Sequence, residues 1–282
     1  MAVLGVQMMM LKDQVAEQGM WAVLQQVKEL GYDAVEVSQI PMTEQNTADL
    51  ERGINELGVE VGALSVALAP AEGNPTDALS DNFDKIVADC KRLNCRFVRI
   101  GMMPFTAMVS KEACEAWAGQ AEPYAARLAE EGITLCYHNH HVDLAMFDGE
   151  RLFDIVRRVA PSMYFEVDLH WVQRGGMAPL DMLKEYSGVC KIIHVKDFRV
   201  GALNPKALDL FAEGKFMEGY DMFVNIAEFA EVGQGNMNWP DLLPAANDAG
   251  AEFFFVEQDI TYGRDPIDCL RDSREYLRSI GY

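Results

Sequence analysis

Hydrophobic and polar positions along this chain switch between two periods. Short apolar runs rich in Val, Ile, Leu and Phe are followed by stretches in which apolar residues recur every three or four positions. Residues 3–10 form the first run. A helix follows, with Met20, Val23, Leu24, Val27 and Leu30 on one face and Gly31 where a left-handed residue would stop it. Residues 33–40 read as a second strand; a second helix stops at Gly58, and residues 59–68 read as a third strand. Phe83, Ile86, Val87, Cys90 and Leu93 repeat the helical spacing, with Ser80 and Asp81 as candidate N-caps and Asn94 at the end. Further strands are predicted over 96–102, 133–140, 163–170, 190–198 and from Phe253 onward. The helices between them end at Gly132, before Pro161, at Gly188 and at Gly250. Trp239-Pro240 and Asp265-Pro266 each open a helix with proline at its first position.

The result is eight strand–helix units, broken once by a long interval of mixed pattern at about 199–231. Alternating strands and helices with near-continuous apolar strands imply a parallel sheet under helices. Eight units in 282 residues fit a single-domain α/β fold, a closed (β/α)8 TIM barrel with an insertion after the seventh strand. A doubly wound sheet is the runner-up, but no GxGxxG stands at the first strand–helix turn.

The active site of such a barrel lies at the C-terminal ends of its strands. All five histidines fall between His138 and His194, in three bursts at strand ends: Tyr137-His138-Asn139-His140-His141, Phe165-Glu166-Val167-Asp168-Leu169-His170-Trp171 and Ile192-Ile193-His194-Val195-Lys196-Asp197. A fourth run, Phe253 to Asp259, ends in carboxylates. Residues two apart share a strand face, which groups His138 with His140, and Glu166 with Asp168 and His170. It also groups His194 with Lys196, and Glu257 with Asp259, while Tyr137, Phe165, Val167, Ile193 and Val256 face the helices. Two imidazoles and two carboxylates from four adjacent strands make a mixed nitrogen–oxygen site, which suits Mn²⁺, Zn²⁺, Co²⁺ or Fe²⁺ better than Mg²⁺ or Ca²⁺. Asp168, His194 and Glu257 each end an apolar run at the equivalent position. His141 and His170 read as structural residues, and Gly233-Gln234-Gly235 as a tight turn.

Composition narrows the partners. Against 24 Lys and Arg stand 44 Asp and Glu, a formal charge of −20 that repels phosphate backbones and anionic membranes. No nucleic-acid or membrane partner is expected. No apolar run reaches membrane-spanning length, the N-terminus shows no basic region or cleavage site, and six unpaired cysteines read as small buried hydrophobes. These features place the protein in the cytoplasm.

At these residues the chain resembles the sugar phosphate isomerase/epimerase family of xylose isomerase-like barrels. The resemblance runs through Gly31-Tyr32-Asp33-Ala34-Val35-Glu36, Tyr137-His138-Asn139-His140 and Val167-Asp168-Leu169-His170-Trp171. It continues in His194-Val195-Lys196-Asp197, Glu231-Val232-Gly233-Gln234-Gly235 and Val256-Glu257-Gln258-Asp259. Members of the family bind one divalent metal through Glu, Asp, His and Glu from successive strands, so the resemblance implies Asp168, His194 and Glu257 as ligands. Where many relatives have the first glutamate, this chain has His138, with His140 and Asp143 as alternatives for the fourth position. That substitution resembles a branch including inosose dehydratases and enzymes acting on 3-keto sugars.

The resemblance implies a metal-dependent isomerase or epimerase acting on a sugar or keto-sugar through an enediolate, with Mn²⁺ the favoured ion. Glu257 or a strand-five histidine, His138 first, would be the base. Lys196 would offset the enediolate charge, and His140, Glu36, Arg99 and Trp171 would contact substrate. A lyase or dehydratase on the same scaffold is the alternative. The paucity of basic residues at the rim favours a free sugar over a phosphate ester. The 199–231 interval reads as a lid or a dimer contact, which leaves a homo-oligomer open.

Overall fold

Eight strands form a closed, all-parallel barrel in a computed structural model that describes residues 1–71, 73 and 76–282. They are β1 (Val3–Gln7), β2 (Ala34–Val37), β3 (Glu60–Val66), β4 (Phe97–Ile100), β5 (Thr134–His138), β6 (Tyr164–Asp168), β7 (Cys190–Val195) and β8 (Phe253–Val256). The order around the barrel is β1-β8-β7-β6-β5-β4-β3-β2, so sequential strands are neighbours and β8 closes onto β1.

The period-two alternation sorts side chains into two cores. Tyr137, Phe165, Val167, Ile193 and Val256 face outward into the large core shared with the helices. Ala34, Ala63, Phe97, Cys136, Ile192, Phe253 and Phe255 point inward and plug the barrel's lower part. Phe253 and Phe255 stack with centroids 5.6 Å apart. A Cβ at Gly62 would stand 2.7 Å from the Phe255 ring, so only glycine lets β3 pass beside these rings. The residues above this plug are polar, and they form the barrel mouth.

The strands are shorter than the apolar runs suggest, because capping interactions take over at their ends. Met8–Leu11, expected as strand through Met10, is a 3-10 turn in which the Gln7 side-chain oxygen accepts the Met9 amide. Asp168 Oδ1 accepts the Trp171 amide at 3.0 Å and caps the helix Leu169–Arg174. His170 therefore lies in the first turn of that helix and not on the strand face of Glu166 and Asp168. Asp143 Oδ2 accepts the His140 amide at 2.7 Å, which ends β5 and starts the turn His141–Leu144. The helix Leu79–Arg92 starts before Ser80 and Asp81; its N-cap is Ala78, whose amide donates to Asn82 Oδ1.

The insertion is a two-stranded antiparallel ribbon, Asp197–Val200 with Ala227–Ala230, joined by helices Lys206–Ala212 and Phe216–Val224. Phe198 and Phe229 pack on His170 with centroids 5.0 and 5.2 Å away. Buried Asp197 accepts the amides of Phe198, Gly233 and Met237 and the Trp239 indole N–H, which ties both ends of the insertion together. A Cβ at Gly235 would sit 2.1 Å from Asp197 Oδ1, so Gly233–Gly235 is a turn moulded around this carboxylate. All six cysteines are buried and free. Among the described residues no helix is long and apolar enough to cross a membrane.

A candidate metal centre at the barrel mouth

Strand register brings four sequence-predicted ligands together. β6 and β7 pair Asp168 with His194, β8 and β7 pair Phe255 with His194, and Glu257 follows β8 directly. One ligand atom each from His138, Asp168, His194 and Glu257 lies within 4.8 Å of the others, and all four residues are buried. His138 completes the set. His140 and Asp143, the alternatives for the fourth position, stand outside it, because the Asp143 carboxylate is taken by Tyr137 Oη and the His140 amide.

The second bonds of these residues fix their orientation. His138 Nδ1 lies 3.2 Å from the Gly101 carbonyl, leaving Nε2 toward the cluster. His194 Nδ1 is 3.0 Å from His138 Nε2 and 2.9 Å from Glu257 Oε2, while its Nε2 lies 3.2 Å from Glu36 Oε2 and 2.9 Å from Glu166 Oε1. Glu257 Oε1 accepts from Gln7 Nε2 at 2.9 Å. One oxygen of each ligand carboxylate is thus held by the protein. The others, Asp168 Oδ2 and Glu257 Oε2, are buried and turn toward the cluster, where their partners are the His194 imidazole and the Lys196 ammonium.

Lys196 stands beside these oxygens, its Nζ 3.2 Å from Asp168 Oδ2, 2.6 Å from Glu257 Oε2 and 3.1 Å from Asp259 Oδ2. Below, Arg99 bonds Glu36 at 2.6 Å and Glu166 at 3.3 Å. Glu36, Glu166 and His194 also converge as a possible ligand group, but there the Arg99 guanidinium already supplies the positive charge.

Charge decides whether a cation fits. Burial and the adjacent Glu36 carboxylate push Glu166 up to about 8, so it keeps its proton at neutral pH. Asp168 and Glu257, despite burial, are held below the usual carboxylate range by Lys196 and the histidines. His194, which burial alone would lower, is held well above its ordinary value by the carboxylates packed around it. With Glu166 neutral, the carboxylates of Glu36, Asp168, Glu257 and Asp259 face only Arg99 and Lys196 as permanent cations. A divalent ion that displaces the His194 proton makes that balance even, and the Asp168 and Glu257 carboxylates offer it oxygen ligands. The donor set fits a metal.

The remaining predicted residues divide. His138, His140, Arg99, Lys196 and Glu257 line a cavity of about 860 Å³ opening beside the cluster. Glu36 is fully buried beneath it, and Trp171 stands behind His140, with centroids 5.6 Å apart, under the Lys196 ammonium; neither lines the cavity. His140 is held down to about 2 by burial and by His138, so it is a neutral imidazole. Sequence reasoning gives Glu166 only a place on the face of Asp168 and gives Gln7 and Asn139 no role. Gln7 is signalled only as the one polar residue ending the apolar first strand. Asn139 clasps the Asp168 backbone at both N and O, which fixes β5 against β6.

The sequence profile of the family described as Xylose isomerase-like TIM barrel matches residues 24–280, and the chain belongs to that family. Comparison with curated proteins gives no match. Among solved structures, a sugar phosphate isomerase/epimerase from Parabacteroides distasonis superposes with TM-score 0.76 at 19% identity, covering 99% of this chain and 98% of that one. The probable 3-DHS dehydratase of petrobactin synthesis from Bacillus anthracis gives 0.69 at 13%, covering 99% of both chains. A 3-keto-D-glucoside 4-epimerase from E. coli gives 0.68 at 13%, covering 99% and 100%. At these identities the likeness is one of fold.

Proposed function

We propose that the protein is a divalent-metal-dependent enzyme that enolises a neutral keto-sugar, in the first place as an isomerase or epimerase. One observation carries this reading: one ligand atom from each of His138, Asp168, His194 and Glu257, all buried, lies within 4.8 Å of the others at the edge of a cavity that admits a sugar. His138, Asp168, His194 and Glu257 would hold the ion, Mn²⁺ first and Zn²⁺, Co²⁺ or Fe²⁺ as alternatives for a mixed donor set. Bound there, it would polarise a substrate carbonyl and offset charge developing on its oxygen.

The chain's own groups supply the rest. Glu257, oriented by Gln7, takes the proton from the carbon beside the carbonyl. A carboxylate held this far below its usual range is a weak base, so it needs a carbon acid already strengthened by the carbonyl's polarisation. Lys196 stays an ammonium, because Asp168, Glu257 and Asp259 outweigh its burial, and it stabilises negative charge on a substrate oxygen. Neutral His140 hydrogen-bonds a hydroxyl. His138, with Nδ1 on the Gly101 carbonyl and Nε2 turned to the ion's place, has no nitrogen left to carry a proton and acts as a ligand. Arg99 is held between two glutamates and Lys196 among three carboxylates, so the cavity lining presents no free cation to a phosphate among the described residues.

One observation favours elimination as a second reading. Among the described residues the carboxylates lining the cavity, Glu257 and Asp259, both follow β8. Proton removal and return from one side suit isomerisation, or loss of a substituent β to the carbonyl; epimerisation takes its proton back on the opposite face. Proton exchange in D₂O, followed by NMR on a panel of keto-sugars with Mn²⁺, tests the proposal. Exchange beside the carbonyl that EDTA abolishes is expected, and the product separates the reactions. No exchange on any member with metal bound would overturn enolisation.

A further inference from the structure

The second helix of the insertion, Phe216–Val224, turns its apolar face to solvent. We propose that this face is the contact between two copies of the chain, their helices paired antiparallel about a two-fold axis through Tyr220.

The pattern comes first. At about 100° per residue, Phe216, Met217, Tyr220, Phe223 and Val224 share an arc of roughly 120°. An arc of that width is what a surface helix normally buries against a core. Here Gly219 is the buried residue of the helix. A Cβ on it would stand 2.7 Å from the Phe211 ring and 3.0 Å from the Ala207 carbonyl, so this side lies directly on the helix Lys206–Ala212. The five residues of the arc are left 44% to 71% exposed. Their rings are already ordered in a row: Phe216 and Tyr220 stack with centroids 6.0 Å apart, and Tyr220 and Phe223 stand 5.9 Å apart. A preformed row loses little side-chain freedom when it is covered.

Area, register and charge together name a second copy as the occupant. At about 150–250 Å² for a large side chain, the five leave on the order of 500 Å² open, so two copies cover roughly the 1,000 Å² that a specific interface needs. The stripe also reads the same in both directions about Tyr220. Antiparallel pairing sets Phe216 against Val224 and Met217 against Phe223 of the other copy, which is the self-complementarity a two-fold contact requires. Glu218 and Asp221 fall outside the arc, so no like charges meet within it. A lid over the mouth is the other use of such a face. Asp197 clamps both ends of the insertion, however, and among the described residues none from 199 to 231 lines the cavity.

Sedimentation velocity on the full chain across about 1–100 µM should show monomer giving way to a species of twice the mass, half paired at on the order of 10 µM. Added salt should tighten the pair several-fold, because it screens repulsion between two chains of charge −20 and spares an apolar contact. Tyr220→Glu sets two carboxylates against each other on the axis and should raise the dissociation constant roughly a hundred-fold or more. Phe216→Ala should raise it about ten-fold. Val109→Glu, the same kind of change at an exposed apolar residue elsewhere, should leave pairing intact. Circular dichroism checks that all three variants fold. In Tyr220→Cys a short bis-maleimide should join two chains, since the introduced thiols meet on the axis while the six native cysteines are buried. A chain that stays monomeric throughout, a dimer that Tyr220→Glu leaves intact, or one that salt weakens would overturn the contact.

Discussion

Around β5 to β8 the barrel mouth is crowded with ionisable groups, each with one bond to the protein frame and one toward a common centre. His138 leans on Gly101, Asp168 caps a helix, and Glu257 is steered by Gln7. Around β1 to β4 the mouth's charges are Arg99 and Glu36, paired with each other at 2.6 Å, and much of the wall is Met, Phe, Ala and Pro. The first half carries many opposed charges in little volume, and removing one partner there strands a buried charge. The second half has volume and few fixed bonds. On the proposed function, chemistry belongs to the first and choice of substrate to the second, and that division can be broken by mutation.

Asp168→Asn should give the largest effect. Asparagine keeps the N-cap of Leu169–Arg174, so the apo fold should survive, but the charge facing His138, His194 and Lys196 is gone. Metal content by elemental analysis should fall from one ion per chain to near none, and turnover by on the order of 10³-fold. Full occupancy in the variant would remove Asp168 from the ligand set.

Glu36→Gln acts at one remove. It weakens the hold on His194 Nε2 and on Arg99 without touching the four ligand atoms. Loss of such an orienting partner should lower metal affinity by about 10–100-fold, read by competition with a chelator. An unchanged affinity would show that Glu166 alone orients His194.

How much of this was legible in the chain follows from where the partners lie. Asp168, His194 and Glu257 each end an apolar run, a local signal, and the eight units with their glycine stops at Gly31 and Gly58 are local too. Glu166 and Gln7 make their bonds to residues far away in sequence, which no period reveals. The expected strand through His170 failed for a local reason of another kind: Asp168 was read as a ligand, and its second oxygen turns out to cap a helix. Asp143, its carboxylate taken by Tyr137 Oη and the His140 amide, likewise ends β5 and sets His140 apart from His138.

Asp143 sits at the seam between the halves, and its effect depends on pH. Burial lifts its carboxyl to about 6, against roughly 3.9 in the unfolded chain. The folded state therefore holds the proton more tightly. Its contribution to stability is full below about pH 4 and is lost as pH rises through 6, on the order of 3 kcal/mol. Asp143→Asn should flatten that slope in urea titrations between pH 4 and 7, and an unchanged slope would place the titration elsewhere.

Ser65→Ala should give the smallest change and the cleanest separation of the halves. The Ser65 hydroxyl is buried, lines the neutral side of the cavity and has no hydrogen-bond partner. An unsatisfied buried hydroxyl costs the fold stability, so alanine should leave the protein as stable or slightly more so. If the hydroxyl is reserved for a substrate oxygen, its loss removes about 0.5–1.5 kcal/mol of binding, roughly 3–10-fold in KM. Because that bond would serve ground state and transition state alike, kcat should hold, and metal affinity should not move. A fall in kcat with KM unchanged would place Ser65 in the chemistry of the charged half, and the division between the two sides of the mouth would have to be redrawn through β3.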